Sequence, residues 1–284
     1  MEIGERLLTA LSDKDVTFKP PQDHRLSVEH ALDELDAAFG GVLPADLRGL
    51  RVLDFGCGLG KQSIALALRG AQVLGIDLFE SGLGIGRRLA ADHGMATSTR
   101  FANVADRPFE AVVPRGSQDL ILSADAFEHY AEPEAMLALM AGALAPRGKI
   151  YICFGPPWYH PYGAHMRFFT KLPWVHLLFS EATIMRVRSR YRADGATRYE
   201  QVEGGLNRMS LRRFDRLVRA SGLVTLWHRV RTIRHCGWGS RIPLLRELVA
   251  NTVSCVLTHA DPATRGCLTR HPVAANSAAD HRAA

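Results

Sequence analysis

The nine residues 52–60, VLDFGCGLG, constrain this chain more than any other stretch. An apolar run that reads as a buried strand passes directly into glycines at 56, 58 and 60, and a helical pattern begins near Lys61. Glycine lets a backbone turn sharply and approach a ligand with no Cβ in the way, while the first helical turn offers unpaired amides. The segment therefore predicts a strand, a ligand-holding loop and a helix. Spacing then narrows the ligand. A dinucleotide-binding GxGxxG starting at Gly56 needs glycine at 61, where Lys61 stands; a phosphate-binding GxxxxGK ending at Lys61 needs glycine at 55, where Phe55 stands. The next strand-like run, QVLGID, ends on Asp77, where an acid accepts both hydroxyls of a ribose. A ribose-bearing ligand poor in phosphate satisfies these constraints, and a dehydrogenase ranks last among the readings.

Around this unit, short apolar runs alternate with helical patterns: RVLDFG, IALALRG, QVLGID, GIGRRLAADHG, STRFANV, DLILSAD, PEAMLALMAGALA and KIYICF. Such repetition implies parallel strands joined by crossover helices. After Phe154 the alternation stops at GPPWYHPYGAHMRFFTKLPWVHLLF, which reads as an insertion, and strand-like runs resume at GLVTLWHRV and NTVSCVLTH. The expected fold class is α/β: a doubly wound, Rossmann-like, seven-stranded, mostly parallel sheet with an antiparallel last strand and a lid after the fifth strand. Residues 1–49 read as a helical segment, with Ser27 as a cap and Leu26, Ala31, Leu35 and Phe39 near helical spacing. The expected divisions are 1–49 helical, 50–155 ligand-binding core, 156–222 lid, 223–264 closing strands and 265–284 flexible tail.

Composition removes other classes. With 47% apolar and 23% charged residues the chain is globular, and the longest apolar stretch, 243–257, is broken by Arg246 and Glu247. The acidic start MEIGERLLTALSDKD lacks the pattern of a secretory signal, so the expected location is cytoplasmic. Five cysteines (Cys57, Cys153, Cys236, Cys255, Cys267) show no CxxC, and no HxxxH occurs, so neither a disulfide framework nor a metal is expected. The net charge of +6 comes largely from arginines between 186 and 219, which suit either a phosphate-bearing partner or a solvated face.

On these residues the chain resembles the class I S-adenosylmethionine-dependent methyltransferases, in their small-molecule branch. VLDFGCGLG matches the first family motif and GID its ribose-binding acid. ANVADRPF matches the segment after the third strand, DLILSADAFEHY the fourth strand with its following Glu-His, and LAPRGKIYI the turn into the fifth strand. The resemblance implies S-adenosylmethionine as cofactor and S-adenosylhomocysteine as product. It assigns Asp54 and the backbone of Gly56, Gly58 and Gly60 to the methionine portion, with Cys57 beside it. Asp77 takes the ribose, and Leu78 and Val104 the two adenine faces. Asn103 stands where the family commonly has Asp, and its amide oxygen is left to meet the adenine amino group. Ser123 and Ala124 fall near the reactive methyl, while Lys61 and Gln62 either touch the cofactor carboxylate or are ordinary first-turn residues. Asp54 is equally a brace for the loop, and Cys57 a small buried filler.

For the acceptor, the candidates are His129 in FEHY, at the carboxyl end of the fourth strand, and His160, Tyr162 and His165 in the aromatic insertion with Trp158 and Tyr159. The expected activity is methyl transfer to oxygen, nitrogen or carbon of a small organic acceptor, by a monomer or homodimer. Two alternatives stay open: methylation of RNA, DNA or protein through the arginines, although SADA stands where amino methyltransferases carry an NPPY-like tetrapeptide, and a silent cofactor-binding scaffold.

Overall fold

The computed structural model describes residues 2–12, 27–202 and 204–260. Seven strands form one sheet in the order β3-β2-β1-β4-β5-β7-β6. They are β1 (Arg51–Phe55), β2 (Gln72–Asp77), β3 (Thr99–Asn103), β4 (Gln118–Ala124), β5 (Leu144–Phe154), β6 (Leu223–Thr232) and β7 (Ala250–His259). The first five are parallel, and β7 runs antiparallel between β5 and β6. The expected α/β, doubly wound sheet with an antiparallel finish is thus the observed one.

Parallel strands buried on both faces need apolar side chains in both directions. In β4, Leu120 and Leu122 point to one face and Ile121 to the other. The first face is covered by α2 (Val28–Phe39), α3 (Lys61–Leu68) and α4 (Glu80–Asp92). The opposite face is covered by α5 (Phe109–Val112), α6 (Pro133–Ala143) and, later in the chain, a helix at Leu211–Ala220. The Ser27 hydroxyl accepts from the amide of His30 at 3.1 Å and caps α2, as the sequence suggested. Leu26, Cys267 and the expected tail lie outside the described residues.

Two boundaries move. The segment 1–49 divides: α2 belongs to the sheet, whereas α1 (Ile3–Ala10) buries Leu8 in a separate apolar cluster with Phe169, Val175, Ile184, Val187 and Tyr199. That cluster is the core of the lid, which also contains α7 (Val175–Leu178) and α8 (Glu181–Arg188). At its far end the lid stops short of residue 222, because α9 (Leu211–Ala220) packs Leu211, Phe214, Leu217 and Val218 onto the sheet core. The helix-to-strand turn read at LAPRGKIYI takes the form of a bulge, with no partners on β4 for residues 145–148 between the Gln118–Leu144 and Leu120–Lys149 pairs. Strand β5 starts at Leu144, directly after α6, and absorbs the change through a register shift opposite residues 118–120.

The arginine-rich stretch has two uses. In the lid, Arg186 pairs with Glu2 at 2.6 Å, Arg190 with Glu5 at 2.9 Å and Arg208 with Glu181 at 2.9 Å, stitching α8 to α1 and to its own neighbours. On α9, Arg212, Arg216 and Arg219 are exposed, one helical face apart from the core. Buried Arg188 donates to both oxygens of Asp194, at 2.6 and 2.5 Å, which holds the Asp194 carboxyl down at about 2. A depressed acid contributes stability above its ordinary value of 3.8, and the contribution is lost as pH falls toward about 2. The urea midpoint of the parent should therefore exceed that of Asp194→Asn near neutral pH, and the two should converge in strong acid. Among the described residues no helix is long and apolar enough to cross a membrane.

Candidate functional site

The loop after β1 is built from three glycines in the left-handed region, with φ of 79° at Gly56, 54° at Gly58 and 80° at Gly60. The amides of Gly56 and Cys57 both donate to the Ile76 carbonyl at 3.0 Å, which ties the loop to β2. Asp77, half-buried at the end of β2, closes the other side: its Oδ2 accepts from the Gly58 amide at 2.9 Å and its Oδ1 from the Phe79 amide at 3.0 Å. The glycines then differ. A Cβ on Gly60 would lie 2.7 Å from the Phe101 ring and one on Gly56 3.0 Å from the Ala126 Cβ, while one on Gly58 would meet nothing within 4 Å. The open face of the loop is at Gly58.

Asp54 lies beneath this loop, only 2% exposed, and accepts from the Ser63 hydroxyl at 2.6 Å, which is the bracing role. Burial raises its carboxyl to about 7; the Ser63 hydrogen bond opposes this, and nearby Asp77 adds to the rise. Cys57 is buried and its thiol is pushed far up by burial and by Asp54 and Asp77, so it fills space and is no nucleophile. Lys61 is held at 2.6 Å from Glu34 rather than turned toward the loop, and Gln62 stands half-buried in the first turn of α3. Beyond Asp77, Leu78 and Phe79 are exposed and form an apolar ledge.

Asn103 and Val104, at the end of β3, lie beside that ledge. The Val104 amide donates to the Asp77 carbonyl at 3.1 Å. The Asn103 Nδ2 donates to the Leu78 carbonyl at 2.9 Å, and its Oδ1 accepts from the Ala105 amide at 2.8 Å. A carboxylate at 103 could make only the second bond and would turn an oxygen toward a carbonyl. Asn103→Asp should therefore lower stability by about 1–2 kcal/mol, read as a shifted urea midpoint with an unchanged slope.

Ser123 requires a correction. It is completely buried, with Oγ 2.9 Å from the Tyr130 hydroxyl, which itself donates to the Phe55 carbonyl at 2.9 Å. Ser123 therefore braces β1 against β4 through Tyr130 instead of facing a ligand. The next residues rim the site. Asp125 sits at φ 50° just past β4; although open to solvent at the mouth, its carboxyl is raised to about 6 by the surrounding protein and by Glu34, with Lys61 opposing.

The four acceptor-side candidates fall into two groups. His129, in the 3₁₀ turn Phe127–His129, donates from Nδ1 to the Gly205 carbonyl at 2.7 Å, and its ring meets that of His165 edge to face at 5.5 Å. His160 is buried in the lid and accepts at Nδ1 from the Tyr162 amide at 3.1 Å; burial, then His176 and Arg167, lower its ring to about 4. Tyr162 faces outward with the Arg167 guanidinium 4.7 Å from its ring. His129 and His165 come together; His160 and Tyr162 serve the lid, as does Trp158, packed between His176 and Tyr199.

Sequence reasoning passed over Glu128 and Asn207. Glu128 is 3% exposed, its Oε1 accepts from the Gly155 amide at 3.1 Å, and burial together with Asp125 raises the carboxyl to about 8. Asn207 binds the carbonyls of Phe127 and Tyr130, each at 2.9 Å, and fastens the 3₁₀ turn. FEHY carried a signal for Glu128, whereas Asn207 is brought in from a distant segment and left none.

A family model described as a methyltransferase domain matches residues 52–148, the glycine loop through the start of β5. This segment is similar to methyltransferase domains. Two curated relatives named ubiquinone biosynthesis O-methyltransferase, from Bordetella avium and Idiomarina loihiensis, are 33% and 38% identical over 139 residues, 49% of this chain and 53% of each relative. The chain thus spans about half the length of the curated relatives it matches. Around the matched segment, the whole fold is similar to geranyl diphosphate C-methyltransferase from Streptomyces coelicolor A3(2), whose structure holds S-adenosyl-L-homocysteine. The TM-score is 0.54 at 16% identity, covering 88% of this chain and 85% of that one. At that identity the likeness is one of fold.

The matched segment fits S-adenosylmethionine on its own chemistry. Of its three glycines only Gly58 is open, and the Asp77 carboxylate closes the loop's other side, which suits a ribose and disfavours a phosphate.

Proposed function

We propose that the protein is an S-adenosylmethionine-dependent methyltransferase acting on a small organic acceptor, at oxygen, nitrogen or carbon. The observation that carries this reading is the loop open at Gly58 and closed by the Asp77 carboxylate. Asp77 keeps lone pairs for the ribose hydroxyls while it holds Gly58 and Phe79. Leu78 and Val104 flank the adenine, and the amides of residues 56–60 meet the methionine end. The cofactor supplies a methyl group on a positively charged sulfur, so the chain's own work is alignment and the exclusion of water. Asn207 and Gly205 hold the 3₁₀ turn with Glu128 and His129 against the lid, and the lid's aromatic cluster keeps that side dry. We place the protein in a reducing, cytoplasmic setting on its thiols: Cys57, Cys153, Cys236 and Cys255 are all free.

The test is calorimetric titration with S-adenosylmethionine, S-adenosylhomocysteine and NAD, followed by release of S-adenosylhomocysteine in the presence of small acceptors. Binding of both sulfur ligands and not NAD, with turnover, is the expected result. Binding of NAD, or of none, overturns the reading; tight binding with no turnover across a broad acceptor set favours a silent scaffold.

A further inference from the structure

At the amino-terminal edge of the sheet, the end away from the glycine loop, a cleft of about 300 Å³ opens between the loop that precedes β1 and the bulge of β5. Pro44, Leu50, Leu120 and Tyr151 give it apolar walls, and Arg147 and Lys149 line it from the bulge. Both sides are held in place. The Tyr151 hydroxyl donates to the Val42 carbonyl at 3.1 Å and its ring meets that of Phe39 edge to face at 5.3 Å, which ties the loop to β5. A Cβ on Gly148 would lie 2.7 Å from Leu144 and 3.0 Å from the Gln118 carbonyl, so the bulge passes close against its neighbours. The Gly148 carbonyl also accepts from the Thr258 hydroxyl at 2.8 Å, which anchors the bulge to β7.

The charges at this cleft do not cancel. Its carboxylate, Asp119, is taken up by Arg51, whose amide, Nε and Nη2 donate to it at 3.0, 3.0 and 2.9 Å. In the loop before β1, Asp46 holds Arg48 at 2.6 Å. Among the described residues, neither the Arg147 guanidinium nor the Lys149 ammonium has an ion pair or a hydrogen bond. Two uncompensated cations beside an apolar cavity attract an anion, and the planar fork of a guanidinium matches a carboxylate. Walls of Leu, Pro and Tyr around a volume of this size suit one or two fused rings. We infer that the cleft is a second ligand site, for a small aromatic anion. Its ring lies against Leu50, Leu120 and Tyr151, and its charged group meets Arg147 and Lys149. The site is separate from the glycine loop: β1 leads from Leu50 at the cleft to Gly56, and β4 leads from Asp119 to Asp125. It stands whether or not that loop takes S-adenosylmethionine.

The experiment titrates the full chain with 2-naphthoate and, in parallel, with neutral 2-naphthylmethanol, by calorimetry and by nuclear Overhauser contacts from the ring to protein methyl groups. Naphthoate should bind about tenfold more tightly than the alcohol and touch the Leu50 and Leu120 methyl groups. Arg147→Gln combined with Lys149→Gln should weaken naphthoate about tenfold and leave the alcohol unchanged. It should also abolish the fall in naphthoate affinity that the parent shows between about 50 and 500 mM salt. Ala145→Phe fills the cleft without changing its charge and should weaken both ligands about tenfold or more. The urea midpoint of each variant checks its fold. No binding of naphthoate, equal affinity for the alcohol, contacts only to other methyl groups, or an affinity unmoved by the double Gln variant each overturn the site. So does an Ala145→Phe protein that keeps its fold and binds as the parent does.

Discussion

Asp77→Ala will lower the affinity for S-adenosylhomocysteine by roughly a thousandfold while leaving the sheet folded. Two effects combine. The carboxylate would make two charge-assisted bonds to the ribose, each worth about 1.5–3 kcal/mol when a charged partner is involved. It also holds the Gly58 and Phe79 amides, so its removal frees the loop that must already be in place when ligand arrives. Asp77→Asn separates the two, because the amide oxygen can still hold Phe79 while the NH₂ group faces the Gly58 amide as donor against donor. Affinity should fall in the order parent, Asn, Ala, measured by calorimetry, with thermal unfolding as the control for folding. An alanine variant that binds like the parent would remove Asp77 from the ribose site.

The second large effect separates two glycines of one motif. Gly60→Ala should destabilise the protein by about 2–4 kcal/mol, since the new Cβ lies 2.7 Å from Phe101, on top of the strain at φ 80°. Phe101 cannot retreat. The same ring would be met at 2.8 Å by a Cβ on Gly75 and at 3.1 Å by one on Gly86, so it is seated among three glycines. Gly58→Ala meets no neighbour and should weaken the fold by only about 1 kcal/mol, the usual strain of a left-handed L-residue. Its methyl group points into the open face, so ligand affinity should fall roughly a hundredfold. Unfolding midpoints and S-adenosylhomocysteine titrations of the two variants should cross over; similar losses of both properties in both variants would refute the division.

The two glycines also mark how far the sequence could be read. Alternation and spacing carried the α/β class, the loop and Asp77, because those features are local: a strand running into glycines announces itself within nine residues. The choice between contact and support was not local. Asp54 braces the loop because Ser63, one turn into α3, reaches its carboxylate, and Ser123 is occupied because Tyr130 folds back between β1 and β4. Asn103 had a readable position but an unreadable partner, the Leu78 carbonyl just past the end of the neighbouring strand. Among the lid histidines, composition could not tell His165, which reaches the 3₁₀ turn, from His160, which is consumed by its own loop. The division of residues 1–49 was hidden for the same reason, since the partners of α1 come from the far half of the chain.

That placement of α1 governs the order in which the molecule is assembled. Although α1 precedes the whole sheet in sequence, Leu8 finds its partners only when residues 164–199 have been made. By then β1 to β5 are all available to pair, and the glycine loop can close on Asp77. The lid waits on a contact between distant parts of the chain, and the sheet itself is completed later still, when β6 and β7 take their places beyond β5. A chain trimmed ahead of α2 would keep the sheet and its glycine loop and lose Leu8 from the core that follows β5.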